Sequence, residues 1–169
     1  MKLLIPGGAG YIGSHMVRYA QEHGHEVVVL DDFSTGHEWA IKDCEILRVN
    51  LLDQDKLSQL LKGRYFDGVI HFAGLKAVGS SISMPIEYYS SNVGGAIAIM
   101  EVMKEQNCRT LVFSSSATVY GNPHKVPIKE DFPLSATNPY GSPGASKKIL
   151  RTIKKFPLEN AIKKKFYDL

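Results

Sequence analysis

A chain of 169 residues, 44% hydrophobic and 22% charged, has the length of one domain and enough apolar side chains for a sizeable core. No run is apolar enough to make a transmembrane helix, and Met1-Lys2-Leu3-Leu4-Ile5 is too short and too soon broken for a secretory leader, so a cytoplasmic protein is expected. The net charge of +3 is modest, and the two cysteines, Cys44 and Cys108, lack metal-ligand spacing and need no disulfide, so neither a metal site nor a nucleic-acid partner is expected.

Lys2-Leu3-Leu4-Ile5 is a short apolar run of the kind a buried parallel strand requires. It leads into Gly7-Gly8-Ala9-Gly10-Tyr11-Ile12-Gly13 and then a helical pattern to about His23. A Gly-x-x-Gly-x-x-Gly turn between strand and helix lets the backbone approach a pyrophosphate, and the helix N-terminus offers N–H groups and the positive end of its dipole. The second strand, Glu26-Val27-Val28-Val29-Leu30, ends in Asp31, eighteen residues beyond Gly13, where an acid can bond the adenosine ribose hydroxyls. Asp32 follows it, and two adjacent carboxylates repel the 2′-phosphate of NADP, which makes NAD the expected cofactor.

Further apolar runs at 45–49, 68–72 and 110–114 predict three more strands. Helix-period segments lie between them at about 53–62, with Asp53 as N-cap, and at about 85–106, with Pro85 in the first turn. This alternation predicts an α/β fold: a Rossmann-like doubly wound parallel sheet, truncated, with helices on both faces. Strands one to three should form one half, and strands four and five should begin the other on the far side of strand one. Pro6 at the exit of a central strand is tolerable only where pairing has ended, because it lacks a ladder donor. The expected domains are residues 1–144, binding NAD, and a lysine-rich helical tail at 145–169 with eight Lys/Arg against two acids. That tail reads as a solvated helical face, with nucleic-acid binding as the less favoured alternative.

Three segments carry a resemblance: the glycine turn continued through Ser14-His15, then His71-Phe72-Ala73-Gly74-Leu75-Lys76-Ala77-Val78-Gly79, then Phe113-Ser114-Ser115-Ser116-Ala117-Thr118-Val119-Tyr120-Gly121. Together they resemble the UDP-glucose 4-epimerases of the extended short-chain dehydrogenase family, over about residues 1–141. Related dehydratases place Asp-Glu where this chain has Ser116-Ala117, which favours an epimerase. The resemblance implies galactose metabolism, a UDP-sugar substrate and a possible homo-oligomer. By position it implies that Gly7, Gly10, Tyr11, Ile12 and Gly13 cradle the NAD pyrophosphate and that Asp31 and Asp32 lie at the adenosine ribose. Asn50-Leu51 would lie near the adenine, and Phe72, Ala73, Gly74 and Lys76 would line the cofactor beyond strand four. Asn92 matches a cofactor-proximal asparagine, Ser116 the active-site serine and Tyr140 the acid/base tyrosine. Pro6, Asp32 and Asn50 depart from the family's usual Thr, Asn and Asp.

Plainer roles stand beside several of these. Ser116 can simply end strand five by bonding the backbone, and Lys76 can be a solvated lysine. His71 reads as a satisfied core histidine, while Tyr120, Tyr88 and Tyr89 read as packing residues. The family's Tyr-x-x-x-Lys spacing is broken: Gly144 stands four residues after Tyr140, behind Pro143. Lys147, at i+7, takes the lysine's place only if Pro143-Gly144-Ala145 bulges out and the register resumes. The alternative function is a non-catalytic NAD- or nucleotide-binding module.

Overall fold

The computed structural model describes residues 1–121 and 123–135 and divides the chain into two compact units, Met1–Ser114 and Ser115–Leu169. The boundary expected at 144/145 lies outside the described residues.

In the first unit β1 (Lys2–Pro6), β2 (Glu26–Asp31), β3 (Glu45–Arg48), β4 (Gly68–His71) and β5 (Leu111–Phe113) form one sheet. It has the order β3-β2-β1-β4-β5 and every pairing is parallel. Strand residues alternate between two cores. Leu3, Ile5, Val27 and Val29 meet Val17 and Ala20 of α1 (Tyr11–Glu22) on one face. Leu4, Val28, Leu30 and Val69 meet Leu57 and Leu61 of α2 (Gln54–Leu61) and Ile99 and Val102 of α5 (Gly95–Glu105) on the other. Burial on both faces explains why the strands read as continuous apolar runs. Each such fully buried side chain contributes about 1.5–3 kcal/mol relative to exposure.

Local signals set the helix ends. Asp53 caps α2 by accepting from the Lys56 N–H at 3.2 Å, and α1 ends at His23 with Gly24 beyond it at φ +74°. The 85–106 helical pattern divides into three parts: α4 (Pro85–Tyr89), a π turn (Ser90–Gly94) and α5. A short α3 (Val78–Ser83), absent from the sequence expectation, precedes them. Pro6 belongs to β1 after all, in register with Leu30. The missing donor is tolerated because β1–β4 residue pairing stops at Leu4–Val69, while the Gly7 N–H bonds the Leu30 carbonyl at 2.8 Å on the β2 side. The proline carbonyl accepts from both Phe72 and Ala73 at 2.8 and 3.0 Å, tying the end of β4 to the glycine turn.

At the sheet's edge Leu111, Val112 and Phe113 are exposed by 37%, 54% and 53%, an apolar surface open to association. The two cysteines are free, and among the described residues no helix is long and apolar enough to cross a membrane and no cluster of metal-ligating groups occurs. Within the second unit the described part holds a 3-10 turn (Ala117–Tyr120), and the Ser135 N–H bonds the Val119 carbonyl at 2.9 Å.

His71 corrects one expectation. It is buried, 3% exposed, but among the described residues neither ring nitrogen has a hydrogen-bond partner, and its ring meets that of Phe113 in a T-shaped contact at 5.3 Å. Burial alone pushes its pKa below the ordinary 6.5. The unfolded chain therefore binds a proton that the folded chain refuses, and this part of the stability is lost as pH falls below about 6.5. Thermal melts should show the melting temperature dropping from about pH 7.5 to pH 5.5, with His71→Leu flattening the decline. An equally steep decline in the variant would remove His71 as its cause.

Candidate functional site

The C-terminal ends of β1 to β4 open into a cleft of about 470 Å3 at the point where the strand order reverses. Open parallel sheets bind ligands in this position, because the connections that follow β1 and β4 run to opposite sides of the sheet and part there.

Gly7, Gly10, Tyr11, Ile12 and Gly13 form the floor. Gly7 has φ +75°, and a Cβ there would strike the backbone of Phe72 and Ala73; one on Gly13 would strike the Gly7 carbonyl oxygen. The turn thus packs backbone on backbone against both α1 and the end of β4. No side chain caps α1 at Gly10, so its N-terminus is left to face the cleft with its positive dipole end.

Asp31 and Asp32 border one side. The Asp31 carboxylate accepts from the Ala9 N–H and the Phe33 N–H, both at 2.9 Å, which fixes its position beneath the turn. Each carboxylate oxygen retains lone-pair capacity for a further donor, such as a ribose hydroxyl. Asp32 accepts from the Ser34 N–H at 2.9 Å and from Asn50 Nδ2 at 2.8 Å. The two departures from the resembled pattern, Asp32 and Asn50, are thus joined to each other by a hydrogen bond. Asn50 in turn accepts from the Leu52 N–H at 2.9 Å, shaping the wall that carries Leu51.

Phe72, Ala73, Gly74 and Lys76 line the opposite side, Lys76 being exposed. Asn92 does not line the cleft; both ends of its carboxamide are bonded to the Leu75 backbone. Ser116 lies in the second unit, where its carbonyl accepts from the Val119 N–H at 3.2 Å. β5 ends at Phe113, before that serine. Tyr140 and Lys147 lie outside the described residues.

Several lining residues escaped the sequence reading, among them Ser34, Thr35, Leu75, Tyr88 and Ser91. Tyr88, read as a packing residue, is half-buried and borders the cleft, while Tyr89 is 73% exposed. Ser34-Thr35, following the two acids, was a polar signal that could have been used. Tyr88 and Ser91, three apart on one helix face, carried none until the helix was placed.

The chain is similar over 148 residues to the UDP-glucose 4-epimerase of Dictyostelium discoideum, with 45% identity over 83% of this chain and 43% of that protein. The Bacillus subtilis UDP-glucose 4-epimerase is also 45% identical, over 83% of this chain and 44% of its own length. Among solved structures, the Bifidobacterium longum UDP-glucose 4-epimerase in complex with NAD+ and UDP superposes with a TM-score of 0.74 at 36% identity, covering 90% of this chain and 49% of that one. The Brucella ovis UDP-glucose 4-epimerase in complex with NAD gives 0.72 at 35% identity, covering 90% and 46%. The chain thus spans less than half the length of these relatives. The model of the NAD dependent epimerase/dehydratase family matches residues 3–154, and with the glycine turn, the paired acids and the reversal-point cleft in place, this chain belongs to that family.

Proposed function

We propose that this chain binds NAD in the cleft and is the NAD-binding half of a UDP-glucose 4-epimerase, interconverting UDP-galactose and UDP-glucose. The observation that carries the reading is the α1 N-terminus and its backbone-packed glycine turn lining the cleft, with the Asp31 carboxylate hydrogen-bonded to that turn at Ala9. The Dictyostelium and Bacillus relatives, and the two enzymes solved with NAD, support it. NAD would supply the acceptor and donor of hydride at the sugar C4. The turn and the α1 N-terminus take the pyrophosphate, Asp31 accepts from the adenosine ribose, and the wall at 72–76 lies along the other nucleoside. Tyr140 removes the proton from the sugar 4-hydroxyl, Ser116 hydrogen-bonds the reacting oxygen, and Lys147 is the cation available to favour the tyrosinate. The 4-keto sugar is reduced from its other face, so no net redox occurs. A cytoplasmic setting fits the free Cys44 and Cys108, and self-association fits the exposed β5 edge.

A non-catalytic NAD-binding module is favoured by one feature, Gly144 in the lysine's usual place. Both readings require the cofactor. Calorimetric titration is expected to give NAD binding and at least about tenfold weaker NADP binding, a gap of about 1.4 kcal/mol. Asp31 and Asp32 are the physical cause, since a 2′-phosphate would meet two carboxylates. Tighter NADP binding, or no NAD binding by a folded sample, would overturn the proposal.

A further inference from the structure

Between α4 and α5 the helix widens into the π turn Ser90–Gly94, a rare geometry that inserts one residue and turns the following side chains by about 100°. Asn92 sits at its centre, half-buried. Its Oδ1 accepts from the Leu75 N–H at 2.7 Å, and its Nδ2 donates to the Leu75 carbonyl at 3.0 Å. One side chain thereby satisfies both backbone groups of a single loop residue, as a neighbouring strand would.

The surroundings are shaped around this pairing. A Cβ on Gly74 would come within 3.2 Å of Asn92 Oδ1, so a side chain there would crowd the bond. Gly94 and Gly95 let the helix approach the β3 side, where added Cβ atoms would meet Leu52 at 3.1 Å and Leu51 at 3.4 Å. Ser91, one residue before, lines the cleft, whereas Asn92 does not.

We propose that Asn92 is a positioning residue, set by the π turn, which holds the 72–77 wall in place through Leu75 and so serves the nucleoside opposite Asp31 without touching it. This rests on the reading of the cleft as an NAD site. The sheet order gives the direction of the effect. Asp31 and Asn50 stand on the β2–β3 side of β1, and the Leu75 wall on the β4 side. A dinucleotide whose pyrophosphate lies on the turn between them places one nucleoside on each side. Loss of the clamp loosens only the second.

Calorimetric titrations of the full chain and of Asn92→Ala with NAD and with ADP test this, alongside amide hydrogen exchange. Asn92→Ala is expected to weaken NAD about tenfold, leave ADP affinity unchanged, and speed exchange at the Leu75 amide but not in β4. Asn92→Asp keeps the acceptor for the Leu75 N–H and lacks the donor to its carbonyl. It should therefore give a smaller loss for NAD, and it serves where the alanine variant is poorly folded. Parallel losses for NAD and ADP, or unchanged NAD affinity, would reduce Asn92 to a general structural role. The exchange measurement needs no ligand. If the unaltered chain binds no NAD, the cofactor reading fails by that result, whereas unaltered Leu75 exchange on substitution sinks the clamp by itself.

Discussion

Replacing Gly13 by valine is expected to cost the chain its NAD affinity by more than about a hundredfold, about 2.7 kcal/mol, and to lower its melting temperature. An added Cβ would strike the Gly7 carbonyl oxygen and lie 2.8 Å from the Gly8 Cα. These are backbone atoms, so no rotamer change relieves the clash, and either α1 or the turn must move. Overpacking of this kind costs about 1–3 kcal/mol in stability. The move also takes the α1 N–H groups away from the phosphate position, which turns a stability effect into a binding effect. Gly79 provides the contrast: a Cβ there has nothing within 4 Å, and it lies in α3. Gly79→Ala should leave NAD binding intact and raise stability by up to about 1 kcal/mol. Parallel titrations and melts of the two variants decide this; wild-type NAD affinity in Gly13→Val would dissociate the turn from the cofactor.

The second large effect concerns turnover. With NAD added, this chain by itself is expected to give no steady conversion of UDP-galactose to UDP-glucose. An ordinary phenol has a pKa of about 10, so a tyrosine base needs a nearby cation to be ionised near neutral pH. A lysine four residues on, about 6 Å along a helix, is the cation that corrects this, whereas i+7 lies about 10.5 Å away. In sequence, a proline stands at 143, a residue type that lacks the N–H a helix interior uses. General-base assistance is worth about 10²–10⁴-fold, and that factor is the expected deficit from spacing alone. A coupled assay for UDP-glucose is the measurement. Steady turnover that Tyr140→Phe abolishes would mean that Lys147 reaches the tyrosine in spite of its spacing.

Much of the fold was legible because its signals are local. Val27-Val28-Val29-Leu30 is apolar on both faces, and only a strand covered on both sides needs that. Asp53 announces α2 because an N-cap acts within three residues, and the glycine turn announces the cleft because strand, turn and helix are consecutive in the chain. Asp31 was legible for the same reason, being the residue at which the second apolar run stops.

Other features depend on partners far away in sequence, and only the tertiary structure decided them. The 85–106 segment was read as one helical pattern, in which the π turn was not recognised. At the π turn Asn92 bonds Leu75, seventeen residues earlier, and Gly94 and Gly95 lie against Leu52 and Leu51, partners that the segment itself does not name. Asn92 was read as cofactor-proximal by position, and its pairing with the Leu75 backbone came only with the tertiary structure. Likewise Tyr88 and Ser91 became cleft residues only when their helix was docked. His71 was rightly placed in an apolar strand, but which atoms surround its nitrogens is fixed by packing against Phe113 and the sheet, not by the strand's own residues. Sequence determined the five strands and the first two helices; non-local packing determined the division of 85–106 and which side chains face the cleft, because facing is a relation between elements that local periodicity does not encode.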